Sequence, residues 1–293
     1  MSGAPADPER RARSFRAGDG LSLFYRDFGD PGAPGPAILC LPGLTRNSKD
    51  FHGLAHRLGR RHRVLCPDYR GRGRSAYDPD WRRYHPQVYL DDIRHLLAAA
   101  GVHRVIVIGT SLGGILAAAM AVTQPTALAG AVINDVGPDI DPAGLVPILR
   151  HMKDDQPIAD WPAAEARLRA AFPGLPATTP LVWSAITRAS YRETEDGRIV
   201  PDWDPNLTRA VEAQMADDPV DLWPFFRALG DRPVLTVRGA LSDILSADGL
   251  AALSAALPAM RSVTVEGVGH APSLGEPQVL EAIDDLIERI SRS

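Results

Sequence analysis

Cysteine, long apolar runs and surplus positive charge are all scarce in this chain. Two cysteines in 293 residues, Cys40 and Cys66, are too few for a disulfide framework. Both lie in apolar, strand-like runs, where a free thiol behaves as a small core residue. No stretch reaches the roughly 18 apolar residues a membrane span needs, and the opening MSGAPADPERRARSFRAGDG is polar and Arg-rich rather than signal-like. These absences point to a reduced, cytoplasmic protein with no membrane contact. A formal net charge of −4 argues against a nucleic-acid binder, which would carry a basic face. The chain also has no H-E-x-x-H, no paired C-x-x-C and no G-x-G-x-x-G after a strand, so neither a metal nor an organic cofactor is expected.

What remains is an ordinary globular composition, 45% hydrophobic and 23% charged. Short β-branched runs recur at 37–41, 63–66, 104–108, 130–133, 233–237 and 262–265. Most are continuously apolar, the pattern of parallel strands covered on both faces. Helix-like segments at 49–58, 87–100, 112–123, 246–257 and 277–291 alternate with them, which predicts an α/β fold with a doubly wound, mostly parallel sheet. A pair at 14–17 and 22–27, split by Gly18-Asp19-Gly20, reads as an antiparallel hairpin on one edge.

From about 138 to 228 the alternation stops. Pro- and Asp-punctuated helical pieces at 145–153, 163–171, 180–192 and 207–216 take over, and four of the five tryptophans fall there. A helical cap inserted over the C-terminal edge of the sheet accounts for both facts, because ligands of open α/β sheets bind at that edge. The expected division is a core of residues 1–137 and 229–293 with an insertion at 138–228. Trp161, Trp183, Trp203, Trp223, Met152, Met215, Phe225 and Phe226 either line an apolar pocket under this insertion or fill its own core.

The chemistry is concentrated in Gly109-Thr110-Ser111-Leu112-Gly113, a G-x-S-x-G between a strand and a helix. A strand that enters a helix through one residue strains the backbone there, and the two glycines leave room for it. Ser111 then projects at a helix N-terminus, where the N–H of Leu112 is free to meet an oxyanion. Such a hydroxyl needs a base. Of eight histidines, His270 follows the last strand and precedes the last helix, at the same sheet edge as Ser111. The third member is a carboxylate that orients the imidazole. Asp243, in the loop after the strand at 233–237, is favoured; Asp135, after the preceding strand, preserves the same chain order and is its rival. The N–H of Leu44, beside Gly43 in LPGLTRNSKDF, is the candidate second oxyanion donor, and Arg46 and Asn47 follow it as candidate substrate contacts.

LPGLTRNSKDF, DYRGRGRS (68–75), GTSLGG and GVGHAP, in that order over nearly the whole chain, resemble the α/β-hydrolase fold superfamily. The resemblance implies eight strands, an inserted cap, a Ser–Asp–His triad and an oxyanion hole made by Leu44 and Leu112. It also implies that the arginines Arg70, Arg72 and Arg74 are loop scaffolding. The sequence departs from the family's common His-Gly at the oxyanion loop, having Leu41-Pro42 before Gly43, a change that bears on substrate detail because the donor is a backbone group. The expected reaction is two-step acyl transfer from a carboxylic ester or lactone to water. The alternative is C–C bond hydrolysis of a vinylogous diketone, as in ring-cleavage hydrolases of similar fold, with Arg46, Asn47 or Arg188 holding a carboxylate. A third reading, a small-ligand receptor with slow hydrolysis, differs in turnover. The expected partner is a small-molecule substrate, and oligomeric state, a homo-oligomer included, stays open.

Overall fold

The computed structural model describes residues 12–176 and 179–292, so the first half of the Arg-rich opening lies outside the described residues. Among the described residues ten strands and ten α-helices follow one another. An edge hairpin, β1 (Ala12–Arg16) and β2 (Ser22–Phe28), is followed by β3 (Ala37–Leu41), α1 (His52–Leu58), β4 (Val64–Pro67) and α2 (Pro86–Ala100). Then come β5 (Val105–Thr110), α3 (Leu112–Thr123) and β6 (Leu128–Asn134). The insertion holds α4 (Pro142–Lys153), α5 (Trp161–Ala171), α6 (Pro180–Ser190), β7 (Tyr191–Glu193), β8 (Ile199–Pro201), α7 (Asn206–Ala216) and α8 (Trp223–Arg227). The chain closes with β9 (Val234–Gly239), α9 (Ala247–Ala256), β10 (Arg261–Val265) and α10 (Pro277–Arg292).

Eight strands form one sheet in the order β1-β2-β4-β3-β5-β6-β9-β10. The β1–β2 and β2–β4 pairs are antiparallel and the remaining pairs parallel. Side-chain alternation divides the sheet between two cores. Leu39, Leu41, Val105, Val107, Ala131 and Ile133 face the layer of α2, α3 and α9. Ile38, Cys40, Ile106, Ile108, Val132 and Leu235 face α1 and α10. Cys40 and Cys66 are free and buried as expected, and burial pushes the Cys66 thiol well up.

Local signals set the helix ends. Pro86 opens α2 behind a His85 side-chain cap, and Gly101, at φ 63°, closes it in the left-handed conformation that needs no Cβ. On α10 the apolar positions Val279, Ile283, Leu286, Ile287 and Ile290 make one buried stripe.

The strand order places the site. From β3 the chain moves outward to β4, then returns to lay β5 on the other side of β3. The loops after β3 and β5 therefore leave the sheet toward opposite faces, and a crevice opens between them. Gly43 lies on one wall and Ser111 on the other; a Cβ on Gly43 would stand 3.8 Å from Ser111 Cβ.

The insertion differs from its expected form in one respect. Besides helices it contains the small antiparallel hairpin β7–β8, which the segment read as helix at 180–192 runs into. Trp183, Tyr191, Ile199, Ala164 and Leu168 form its separate core. Among the described residues no helix is long and apolar enough to cross a membrane.

Candidate active site

Ser111 caps α3 with φ 52° and ψ −115°, a strained conformation for a residue with a Cβ. The surrounding glycines are obligatory. A Cβ on Gly109 would lie 2.2 Å from the carbonyl oxygen of Gly113, and one on Gly113 would lie 2.1 Å from that of Leu41. The Ser111 N–H donates to the carbonyl of Asn134 at 2.9 Å, tying the elbow to β6. Leu112 opens α3, so its N–H has no intrahelical acceptor. The N–H of Leu44 takes part in none of the turn bonds of its loop, whose shape is held by Arg72 Nε donating to the Leu44 carbonyl at 3.0 Å. Leu44 lines the same cavity as Ser111.

His270 lies on the loop between β10 and α10 and lines that cavity too. Its Nδ1 is 2.8 Å from Asp135 Oδ2, which leaves Nε2 as the nitrogen free to face a substrate. Asp135 is fully buried and sits just past β6 at φ 60°, a left-handed conformation that Asp and Asn tolerate better than most residues. Strand β9 fixes it twice: the Asp135 N–H donates to the Val237 carbonyl at 2.8 Å, and Oδ1 accepts from the Gly239 N–H at 3.0 Å. The histidine loop comes this close because position 239 has no side chain. A Cβ there would stand 2.4 Å from the Gly269 carbonyl.

This corrects the choice of carboxylate. Asp243 is exposed, and its loop turns away: Ser242 Oγ accepts from the N–H groups of Ile244 and Leu245, and Arg238 Nε donates to the Leu245 carbonyl at 2.8 Å. The rival Asp135 holds the place expected of Asp243. Asn134, unlike Asp135, carried no sequence signal. Its buried Nδ2 donates to Thr110 Oγ1 at 3.1 Å and to the Pro272 carbonyl at 2.9 Å, so one side chain spans the elbow and the histidine loop.

The cavity measures about 470 Å³ and its outer wall comes from the insertion: Ile148, Leu168, Phe172, Leu175, Ile186 and Trp203. A larger recess of about 910 Å³ between α4 and α5 includes neither Ser111 nor His270. Of the six expected substrate contacts, Arg46 and Trp203 line the cavity. Asn47 is fully buried beneath it, donating to the Ala189 carbonyl at 3.0 Å and to Asp202 Oδ2 at 3.1 Å. Trp161 and Trp183 pack in the insertion's own core beneath the guanidinium groups of Arg188 and Arg169, each at 4.3 Å. Met152 is buried in the main core. Arg188 is thereby turned from the cavity as well. The lining histidine His151, on α4, carried no sequence signal beyond its place in the insertion.

Arg46 is rigid. Nε and Nη2 donate to the two oxygens of Asp50 at 2.8 and 2.6 Å, and Nη1 donates to Ser190 Oγ. Burial opposes its charge, but Asp50 more than offsets that and holds the guanidinium firmly protonated. Burial, helped by the charge of Arg46, pushes His151 down to about 4, so its imidazole is neutral at pH 7. The arginines after β4 are structural, as expected. Arg70 is buried among Asp19, Asp78 and Asp92, Arg72 stacks over Tyr89 at 4.9 Å, and Arg74 lies over Phe24 at 4.4 Å.

Residues 38–283 match the model of the alpha/beta hydrolase family. The chain is 31% identical to the 3-hydroxybutyrate-oligomer hydrolase of Cupriavidus necator, covering 87% of this chain and 89% of that one. It is 32% identical to the 2-(acetamidomethylene)succinate hydrolase of Mesorhizobium japonicum, covering 87% and 88%. Among solved structures, an alpha/beta hydrolase from Novosphingobium aromaticivorans superposes with a TM-score of 0.88 at 41% identity, over 95% of this chain and 98% of that one.

Proposed function

Because this chain belongs to the alpha/beta hydrolase family, we propose that it hydrolyses a carboxylic ester or lactone through an acyl-serine intermediate. Ser111 is the nucleophile, His270 the general base and Asp135 the carboxylate that orients the base. The observation that carries this reading is the 2.8 Å bond from His270 Nδ1 to Asp135 Oδ2, at the edge of a cavity that Ser111 also lines.

The Asp135 bond fixes the tautomer with the proton on Nδ1, so Nε2 keeps a lone pair for the Ser111 proton. Ser111 Oγ attacks the carbonyl carbon as His270 takes that proton, and buried Asp135 steadies the imidazolium. The oxyanion accepts from the N–H groups of Leu44 and Leu112, donors already in place before charge develops. His270 then protonates the leaving oxygen, which departs. A water, deprotonated by the same nitrogen, attacks the acyl-serine and releases the acid.

The insertion serves as a cap, and its apolar wall suits a small aromatic or medium-chain acyl group. The two curated relatives, named as hydrolases of 3-hydroxybutyrate oligomers and of 2-(acetamidomethylene)succinate, support a small acyl substrate. C–C bond hydrolysis is the second reading, favoured by the guanidinium of Arg46 in the cavity wall. The test is steady-state hydrolysis of nitrophenyl acetate, butyrate and octanoate by wild type and Ser111→Ala. Sustained wild-type turnover that falls on the order of 10⁶-fold in the variant is expected. Turnover retained by the variant would refute the assignment of Ser111.

A further inference from the structure

Two buried polar atoms that feel the charge of Arg46 have no hydrogen-bond partner among the described residues. They are His151 Nδ1 and Tyr191 Oη, both enclosed. His151 is 8% exposed and Tyr191 1%. Native proteins seldom leave such groups unpaired, because burial removes their water and nothing replaces it. The His151 ring is walled by Phe172, Trp203 and Tyr191 at centroid distances of 5.0, 5.6 and 6.2 Å, so it has little freedom to seek a partner elsewhere. It lines the cavity together with Ser111, His270 and Arg46.

We propose that this corner of the cavity, built from Arg46 and His151 with Tyr191 behind them, is a subsite for a carboxylate group on the substrate. It rests on the reading of Ser111 and His270 as the reacting pair and narrows the substrate class to acyl compounds that carry an acid.

Charge selects a carboxylate over a neutral group. Besides histidines, the charged side chains lining the cavity are Arg46, Lys49 and Asp50. Asp50 is committed to Arg46, and Lys49 pairs with Asp202 at 2.7 Å. Three of the five guanidinium N–H groups of Arg46 are used by Asp50 and Ser190, which leaves two to donate. The Asp50 and Ser190 contacts also fix the fork, so little freedom is lost when a ligand binds. Neutral His151 offers a ring N–H, and the Tyr191 hydroxyl, pushed up to about 12 by burial, stays a donor at any working pH. A carboxylate, with two oxygens and no donor, satisfies such a set; a substrate ammonium would meet only donors and a guanidinium.

The test compares nitrophenyl hexanoate with mono-nitrophenyl adipate, esters of equal carbon count that differ by a terminal carboxylate. The expected result is a wild-type kcat/KM at least about tenfold higher for the adipate, carried mainly by KM, as charge-assisted hydrogen bonds would give. That ratio falls toward one in His151→Leu and, independently, in the isosteric Tyr191→Phe. Equal preference in wild type, or a ratio unmoved by both substitutions, would overturn the subsite. If neither ester is turned over, the ester-hydrolase reading fails by itself. The subsite is then read from calorimetric binding of monomethyl adipate and methyl hexanoate to Ser111→Ala. Preferential binding of the acid, lost in Tyr191→Phe, supports the subsite; equal binding of the two overturns it.

Discussion

Replacing Asp135 by Asn tests the geometry of the site with little risk to the fold. The side chains are isosteric, and Asn tolerates the φ of 60° at this position as readily as Asp does. The two carboxylate oxygens have different duties: Oδ1 accepts from the Gly239 N–H at 3.0 Å, and Oδ2 holds His270 Nδ1 at 2.8 Å. An amide with its oxygen toward Gly239 presents its NH₂ to His270. Nδ1 must then become the acceptor and Nε2 carries the proton, which is the wrong tautomer for taking one from Ser111. The flipped amide opposes two donors at Gly239, a buried mismatch of about 1–3 kcal/mol, so the first orientation wins. Loss of the base's correct tautomer costs ~10⁴ in kcat, which is about 5 kcal/mol of transition-state stabilisation. Asp243→Asn, on an exposed turn, should stay within about threefold of wild type, in line with a surface change of a few tenths of a kcal/mol. The assay is kcat for nitrophenyl butyrate, with melting temperature as a fold control. A larger loss in Asp243→Asn than in Asp135→Asn would refute the argument.

Gly113→Ala puts a methyl 2.1 Å from the Leu41 carbonyl oxygen, a backbone group that cannot yield, so soluble protein or melting temperature should drop sharply; a normal melting curve would contradict the elbow's geometry. Arg70→Met strands the buried carboxylates of Asp78 and Asp92 and should cost about 3–5 kcal/mol in urea unfolding, whereas a neutral result would mean those groups relax to water. His151 links stability to pH. Its pKa is lowered from 6.5 unfolded to about 4 folded, so its contribution is complete above pH 6.5 and is lost as pH falls toward 4. Burial is the largest cause of the shift; the charges of Arg46 and Arg167 add to it, and Asp154 opposes it. The difference in unfolding free energy between wild type and His151→Gln should shrink by about 3 kcal/mol over that window, and a pH-independent difference would contradict the burial argument.

The sheet was legible because its central strands are buried on both faces: AILCL (37–41) and VIVI (105–108) carry no polar interruption, and the glycines of GTSLGG mark the turn between strand and helix. The hairpin β7–β8 escaped because its strands are three residues each, too short to show a period of two. Asp135 and Asp243 follow adjacent parallel strands, so chain order treats them alike. What separates them is tertiary: the β6–β9 register sets the Gly239 N–H against Asp135, while Ser242 closes the later loop on itself. The available signal was that Asp135 directly follows the strand beside the one that leads into Ser111. Tryptophans pointed to an apolar pocket, yet Trp161 and Trp183 pack in the insertion's own core beneath arginines, and among the described residues only Trp203 reaches the cavity. Aromatic content tells that a segment has a core to fill, and which face it fills is decided by packing.

Active-site labelling puts the proposed role of Ser111 as nucleophile to the sharpest test. Wild type is treated with a fluorophosphonate, residual esterase activity is followed, and the modified peptide is located by mass spectrometry. One adduct per chain is expected, on Ser111, formed in step with loss of activity and nearly absent in Asp135→Asn. Full activity with Ser111 unlabelled, or inactivation that tracks an adduct on another residue, would contradict it.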